Sequence, residues 1–397
     1  MMMNKKIMKM AVMPFMIMAA SSLMQSCIEE EFPTDYATGE QMQTAKNPGK
    51  ILLNGLNAKM VEQFSYNGAQ VEYDWGYPSQ MLIRDILGGD EPVSNVTNDY
   101  LAWIADGTSL NVFSLYTYSY YYDLVSNANN MVEKFGSDDS DQKAYAGAAR
   151  AYRALAYLDM TRMFEYKTTG FSSLDAQAEN SKVAGLTVPI VTEKTTAKES
   201  KNNPRAPFYT MYRFILNDLK LAESEMKSFE RANKTQPDES VVYGLEARLW
   251  LEMATRFEKN PEDLATQLAH EEDADGYAKL GVTTADECYA KAAEYAQKAM
   301  ALDGYAPLSS DEWHNEKTGF NLATGAWMWS ASMQDKDMLT YYWYSWLCWM
   351  GSEAPNLTWG GMGTYRCIDK SLYEKMPDAD SRKTTWEHPS PVGAAAV

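Results

Sequence analysis

The sequence is poor in the residues that carry most hydrolytic and redox chemistry: 397 residues hold 3 histidines and 4 cysteines. His270, His314 and His388 stand far apart, none in an HExxH arrangement and none beside a cysteine at ligand spacing. No His-based zinc or catalytic pattern can therefore be read. GxSxG, P-loop and GxGxxG motifs are absent too. An excess of positive charge is missing: 36 Lys and Arg against 54 Asp and Glu leave a formal charge of −18, with a pI near 4.7. That balance argues against nucleic acid as a partner, since phosphate binding needs a basic surface. A bilayer-spanning run is missing at the N-terminus, where the apolar stretch Ala11–Ala20 is too short to cross. A carboxylate pair for glycoside hydrolysis stays open, because many Asp and Glu are present and nothing picks out a pair.

What is present is globular. Hydrophobic residues make up 45% and charged residues 23%, enough for two or three domains or one long repeat array. The central stretch is Ala144–Tyr166 (AYAGAARAYRALAYLDMTRMFEY). At 3.6 residues per turn Ala148, Ala151, Tyr152, Leu155, Ala156, Leu158 and Met163 make one wide apolar face. Alanines spread almost all the way round predict an inner helix approached on two sides. Asp159 and Arg162 fall inside the apolar sector at i,i+3 spacing and are expected to pair, or to bond neighbouring backbone, fixing register and not binding ligand.

Around it, Asn47-Pro48 reads as the start of one helix and Pro78 as the start of a second ending at Gly88-Gly89-Asp90. A third runs about Tyr116–Phe135 and forms a hairpin with the central helix. Thr168–Pro204 shows no helical period but contains the extended apolar run Gly185–Val191. Pro207 begins a helix whose cap, Ala206, is poor, which predicts fraying. Ser240 is expected to cap Val241–Phe257, and Asn260–Asp275 reads as an inserted acidic loop. Thr284-Ala285-Asp286-Glu287 is a capping box; its helix turns Tyr289, Ala292, Ala293, Ala296, Ala299 and Met300 inward. The fold class is mostly α: tetratricopeptide-like helix pairs without a strict 34-residue repeat. From Pro307 the chain becomes Gly-, Trp- and Tyr-rich and reads as irregular structure laid over the helices.

The N-terminus resembles a bacterial lipoprotein signal. Lys5, Lys6 and Lys9 precede the apolar stretch, and Leu23-Met24-Gln25-Ser26-Cys27 places a small residue before cysteine. Lipid on Cys27 would anchor the protein to a membrane without spanning it. Glu29, Glu30 and Glu31 resemble the surface-export signal of Bacteroidetes lipoproteins. With Cys27 assigned to lipid, Cys288, Cys348 and Cys367 cannot all pair within the chain, which excludes a disulfide framework; Cys348 with Cys367 stays open.

An ordered set of stretches then appears: NANNMVEKF (Asn127–Phe135), ARAYRALAYLDMTRMFEY (Ala149–Tyr166), GLTVPIV (Gly185–Val191), RAPFYTMYRFILNDLKLAE (Arg205–Glu223), VYGLEARLWLEMA (Val242–Ala254), YAKAAEYAQKAMALDGYAPL (Tyr289–Leu308) and MPDADSRKTTW. Together with the lipid-type cysteine this resembles the SusD/RagB family of nutrient-binding outer-membrane lipoproteins. The resemblance implies a leader over residues 1–26, a lipidated tether over 27–46 and one SusD-like domain over 47–397. Within that domain the helical scaffold lies mainly at 47–305 and a loop-rich aromatic region at 306–397. It further implies a non-enzymatic protein at the cell exterior that binds oligosaccharides and delivers them to a SusC-like TonB-dependent transporter. The alternatives are peptide binding, as in the RagB branch, and a helical glycoside hydrolase. The final Glu387–Val397 does not resemble the family's tail, which reads as a truncated product.

Sugars present apolar C–H faces ringed by hydroxyls, so their sites combine aromatics with amides, carboxylates and arginine. Trp103 with Arg84, Asp85 and Asp90 has that composition. So do Trp343, Trp346, Trp349 and Trp359 with Asn356 and Asp337, although burial in a core is the competing reading for each tryptophan. The expected partners are a glycan, the transporter and outer-membrane lipid through acylated Cys27, with no nucleic acid. No cofactor is implied, and whether a structural calcium ion binds is left open.

Overall fold

The computed structural model describes residues 45–62, 75–90, 112–137, 140–315, 317, 325–332 and 368–386. The chain divides into two compact units, Met1–Pro48 and Gly49–Val397, and nearly all described residues belong to the second. In order they form α1 (Pro48–Lys59), α2 (Gly76–Gly88), α3 (Val112–Phe135), α4 (Lys143–Phe164), α5 (Ser172–Asn180) and a single turn, α6 (Ala197–Ser200). Then come α7 (Phe208–Glu225), α8 (Glu239–Lys259), α9 (Pro261–Ala269), α10 (Ala285–Asp303), α11 (Ser310–Trp313), α12 (Lys370–Lys375) and a 3-10 turn at Ser381–Thr385. Among the described residues there is no strand, and two isolated bridges, Tyr166 with Ala184 and Leu186 with Pro207, are the extended pairings seen.

The helix α4 is the hub. Every residue from Ala146 to Thr161 is buried, because α3 packs on one side and α7 on another, with α8 also touching it. Small residues make this possible: a Cβ at Gly147 would lie 2.5 Å from Met226 Cγ and 3.0 Å from Glu225 Cβ. The outer pair is α8 with α10. These helix pairs make the tetratricopeptide-like scaffold that the periodicity predicts.

Buried charge stitches the hub together. Arg153, 2% exposed, forks onto Asp218 of α7 through Nε and Nη2, each at 2.7 Å. Its Nη1 donates to Asn129 on α3 and to Glu193. Arg150 adds Glu225 at 3.0 Å. The extended run after α5 is laid onto α3 and α4 by tyrosines: Tyr122 Oη donates to Pro189 O at 2.6 Å, and Tyr157 Oη accepts from Val191 N at 2.7 Å.

Several local expectations differ from what the fold shows. Asp159 and Arg162 do not pair with each other: Asp159 is fully buried against other helices, and Arg162 turns outward toward Glu252. Residues three apart diverge here because α4 is enclosed along its length but emerges in its last turn. Thr168–Pro204 contains helix after all, α5 and α6, short segments that bury only Ala178 and so show no apolar period. Part of Asn260–Asp275 is the helix α9, started by Pro261 at its first position. Asp238, not Ser240, caps α8, accepting from Val241 N at 3.2 Å. The start of α7 is tied down by Thr187 N and Ala206 N bonding across to Ala206 O and Val188 O, and by Arg205 donating to Thr187, Leu186 and Phe164 carbonyls. On α10 the capping box forms at Thr284 and Glu287, but the buried face is Cys288, Ala292, Tyr295 and Ala299, with Met300 exposed. Cys288 is a free, buried thiol. Part of the loop-rich stretch is helical as well, in α11 and α12.

Candidate functional site

Where α2, the end of α4 and the middle of α8 converge, a cavity of about 730 Å³ opens, within the range of small-molecule pockets. Its wall includes Arg84 and Asp85 from α2 and Asp90 just past it, with Met81 and Leu87 at the lip; Arg162, Met163 and Phe164 from the end of α4 and Lys167 just beyond; and Arg248 and Glu252 from α8. Asp90 follows the point where α2 stops, at Gly89 with φ 80°, a conformation costly for any residue with a Cβ. Met81 and Leu87 are about half exposed at this lip, because Leu82, Ile83 and Ile86 take the core side.

Beneath the floor lies Asp159, 0% exposed. One carboxylate oxygen faces Arg84 Nη1 at 2.9 Å and Arg248 Nη2 at 3.0 Å. The other accepts from Tyr77 Oη at 3.0 Å and Tyr121 Oη at 3.1 Å. Four donors from α2, α3 and α8 therefore meet on one α4 side chain, the satisfied state a buried carboxylate requires. Burial alone would lower the Arg84 pKa, but the Asp159 charge together with Tyr121 and Tyr77 outweighs it, and the guanidinium is held above its ordinary value. Burial, with Asp159 adding to it, raises the Tyr77 phenol, so it stays a donor. At the rim, burial and then the neighbouring Asp90 push Asp85 above the usual carboxylate range, against the opposing pull of Arg84. On the other side Glu252 is shared by Lys167 at 3.1 Å and Arg162 at 3.4 Å.

The structure thus brings Arg84, Asp85 and Asp90 onto one cavity. Trp103, Trp343, Trp346, Trp349, Trp359, Asn356 and Asp337 lie outside the described residues, as do Cys27, Cys348 and Cys367. Sequence reasoning missed Arg162, Lys167, Arg248 and Glu252 as wall residues. One signal was readable: Arg248 and Glu252 stand at i,i+4 on one side of α8. The end of α4, expected to organise and not to bind, supplies three of the wall residues with Phe164 and Met163 among them. Among the described residues no group of His, Cys, Asp and Glu is arranged to hold a metal ion.

Residues 66–251 match a SusD-like family described as starch-binding and associating with the outer membrane. That segment contains every wall residue except Glu252. A SusD-like carbohydrate binding protein from Bacteroides vulgatus has the same fold: TM-score 0.55 at 18% identity, over 85% of this chain. Over residues 66–251 the chain is SusD-like in sequence. It spans 59% of the length of that Bacteroides vulgatus protein. A SusD homolog from Bacteroides thetaiotaomicron aligns over 69% of this chain and 44% of its own, with 16% identity and a TM-score of 0.44. No curated protein matches the sequence.

Proposed function

We propose that this SusD-like chain is a non-enzymatic, surface-anchored lipoprotein. In this reading it captures oligosaccharide in the α2–α4–α8 cavity and passes it to a SusC-like TonB-dependent transporter. The observation that carries the reading is the coincidence of the cavity with the segment matched to a starch-binding, outer-membrane-associated family. The chemistry supports it: guanidiniums and carboxylates for hydroxyls stand beside Phe164, Met163 and Met81 for apolar sugar faces. Trp103 belongs to the stretch between Asp90 and Ser114, both wall residues, and is proposed as the stacking platform; Trp343, Trp346, Trp349, Trp359 and Asn356 are the further candidates. Acylation at Cys27 supplies the anchor, after a leader over 1–26 and before a tether reaching residue 46. No helix among the described residues is long and apolar enough to cross a membrane.

The test is affinity electrophoresis of the full chain in detergent through gels containing a panel of polysaccharides. Retardation by a glycan, without product, and its loss in Trp103→Ala is the expected result. Release of reducing ends would make the protein a hydrolase, and a folded chain that no glycan retards would overturn the reading.

A further inference from the structure

The cavity wall carries more cationic donors than its own carboxylates use. Arg84 and Arg248 share a single oxygen of Asp159, and Arg162 and Lys167 share Glu252. Arg84, Arg248, Arg162 and Lys167 thus share two carboxylates, Asp159 and Glu252. Among the described residues Arg248 makes one hydrogen bond, from Nη2, and Arg162 makes an ion contact with Glu252 from Nε at 3.4 Å. Their side chains are 40% and 52% exposed, so the remaining guanidinium donors are open to a bound molecule. Asp85 in the last turn of α2 and Asp90 just past its Gly89 cap are wall acids with no ion pair seen among the described residues. The cavity therefore sets open guanidinium donors and carboxylate acceptors on one wall.

Resting on the glycan reading above, we propose that this cavity selects acidic saccharides, seating a uronate carboxylate on Arg162 and Arg248. The sugar's hydroxyls then donate to Asp85 and Asp90, and its apolar face rests on Phe164. A neutral sugar would cover the open guanidinium donors with weaker, uncharged acceptors, whereas a carboxylate matches the planar fork of arginine bidentately. Recognition has to be short-range. The net charge of −18 repels anions at a distance, and salt at physiological strength screens that repulsion beyond about 8 Å.

Calorimetry on the full chain in detergent, at fixed ionic strength, compares trigalacturonate with α-1,4-galactotriose, which differs in carrying CH2OH where the acid carries carboxylate. The expected result is binding of trigalacturonate about tenfold tighter or more, the gain of one charge-assisted hydrogen bond. Arg162→Gln and Arg248→Gln should each lose about that factor. Arg162 is half exposed, so its variant keeps the fold, which circular dichroism checks. Equal binding of the neutral sugar overturns the acidic selectivity and leaves the saccharide reading intact. Tight trigalacturonate binding that survives both substitutions overturns the placement. Binding of a triglutamate peptide but of neither sugar overturns both readings.

Discussion

At the scale of single residues, buried carboxylates decide most of what can be measured. Asp159 holds two arginines and two tyrosines from three other elements. Asp159→Ala leaves both guanidiniums without that anion, and the expected loss is about 3–5 kcal/mol in urea denaturation. Glu246 is the opposite case. It is 0% exposed on α8, neither oxygen receives a well-formed hydrogen bond among the described residues, and Lys220 Nζ lies 2.9 Å away. Burial pushes its carboxyl up to about 7, from an ordinary 4.5, against the pull of Lys220. A carboxyl with a raised folded pKa contributes stability that is complete below pH 4.5 and is lost as pH rises through 7. Glu246→Gln should therefore flatten the stability profile between those values and leave the protein about 1–3 kcal/mol more stable than the parent at pH 8. A variant profile that still falls in parallel with the parent's would refute the assignment.

At the scale of elements, the α4–α7 contact depends on the absence of a side chain at one position. Gly147→Val places a Cβ 2.5 Å from Met226 Cγ. Overpacking costs about 1–3 kcal/mol, and a β-branched residue recovers little of the glycine's helix penalty. We expect a loss of about 2 kcal/mol, read as a lowered midpoint in thermal denaturation. This element was legible in sequence: alanines almost all the way round the helix predicted close approach on two sides. The end of α3 at Phe135 and the capping box of α10 were legible for the same reason, being local patterns of side chains against their own backbone. The helices α5 and α9 were not. Each buries a single residue, so hydrophobic period carries no information about them. Nor was the pairing of Asp159, whose i,i+3 neighbour Arg162 was the local choice, while Arg84 and Arg248 were brought in by folding.

At the scale of the whole molecule, the proposed anchor and cavity separate into two properties that can be broken independently. Cys27→Ala should move the protein from the membrane fraction to the soluble fraction and abolish labelling by a palmitate analogue. Glycan retardation should persist, because the cavity is built from residues of the Gly49–Val397 unit. Retention in the membrane fraction without Cys27 would count against lipidation as the anchor. The negative balance of the chain keeps the protein soluble beside other surfaces and does not specify a ligand. In the proposed reading, specificity belongs to the handful of donors on the cavity wall.

By itself the sequence determined the helical class, the inner position of α4 and the SusD-like likeness of residues 66–251, because periodicity, small-residue content and ordered motifs are properties of local chain segments. Tertiary structure alone decided which charges meet. Arg84, Asp159 and Arg248 come from three helices and converge on one carboxylate. A single dimension of spacing cannot show that convergence, because it arises only when α2, α4 and α8 pack and exclude water. The cavity exists for the same physical reason: α4 emerges from burial at Arg162, and the unsatisfied part of that exit is the wall.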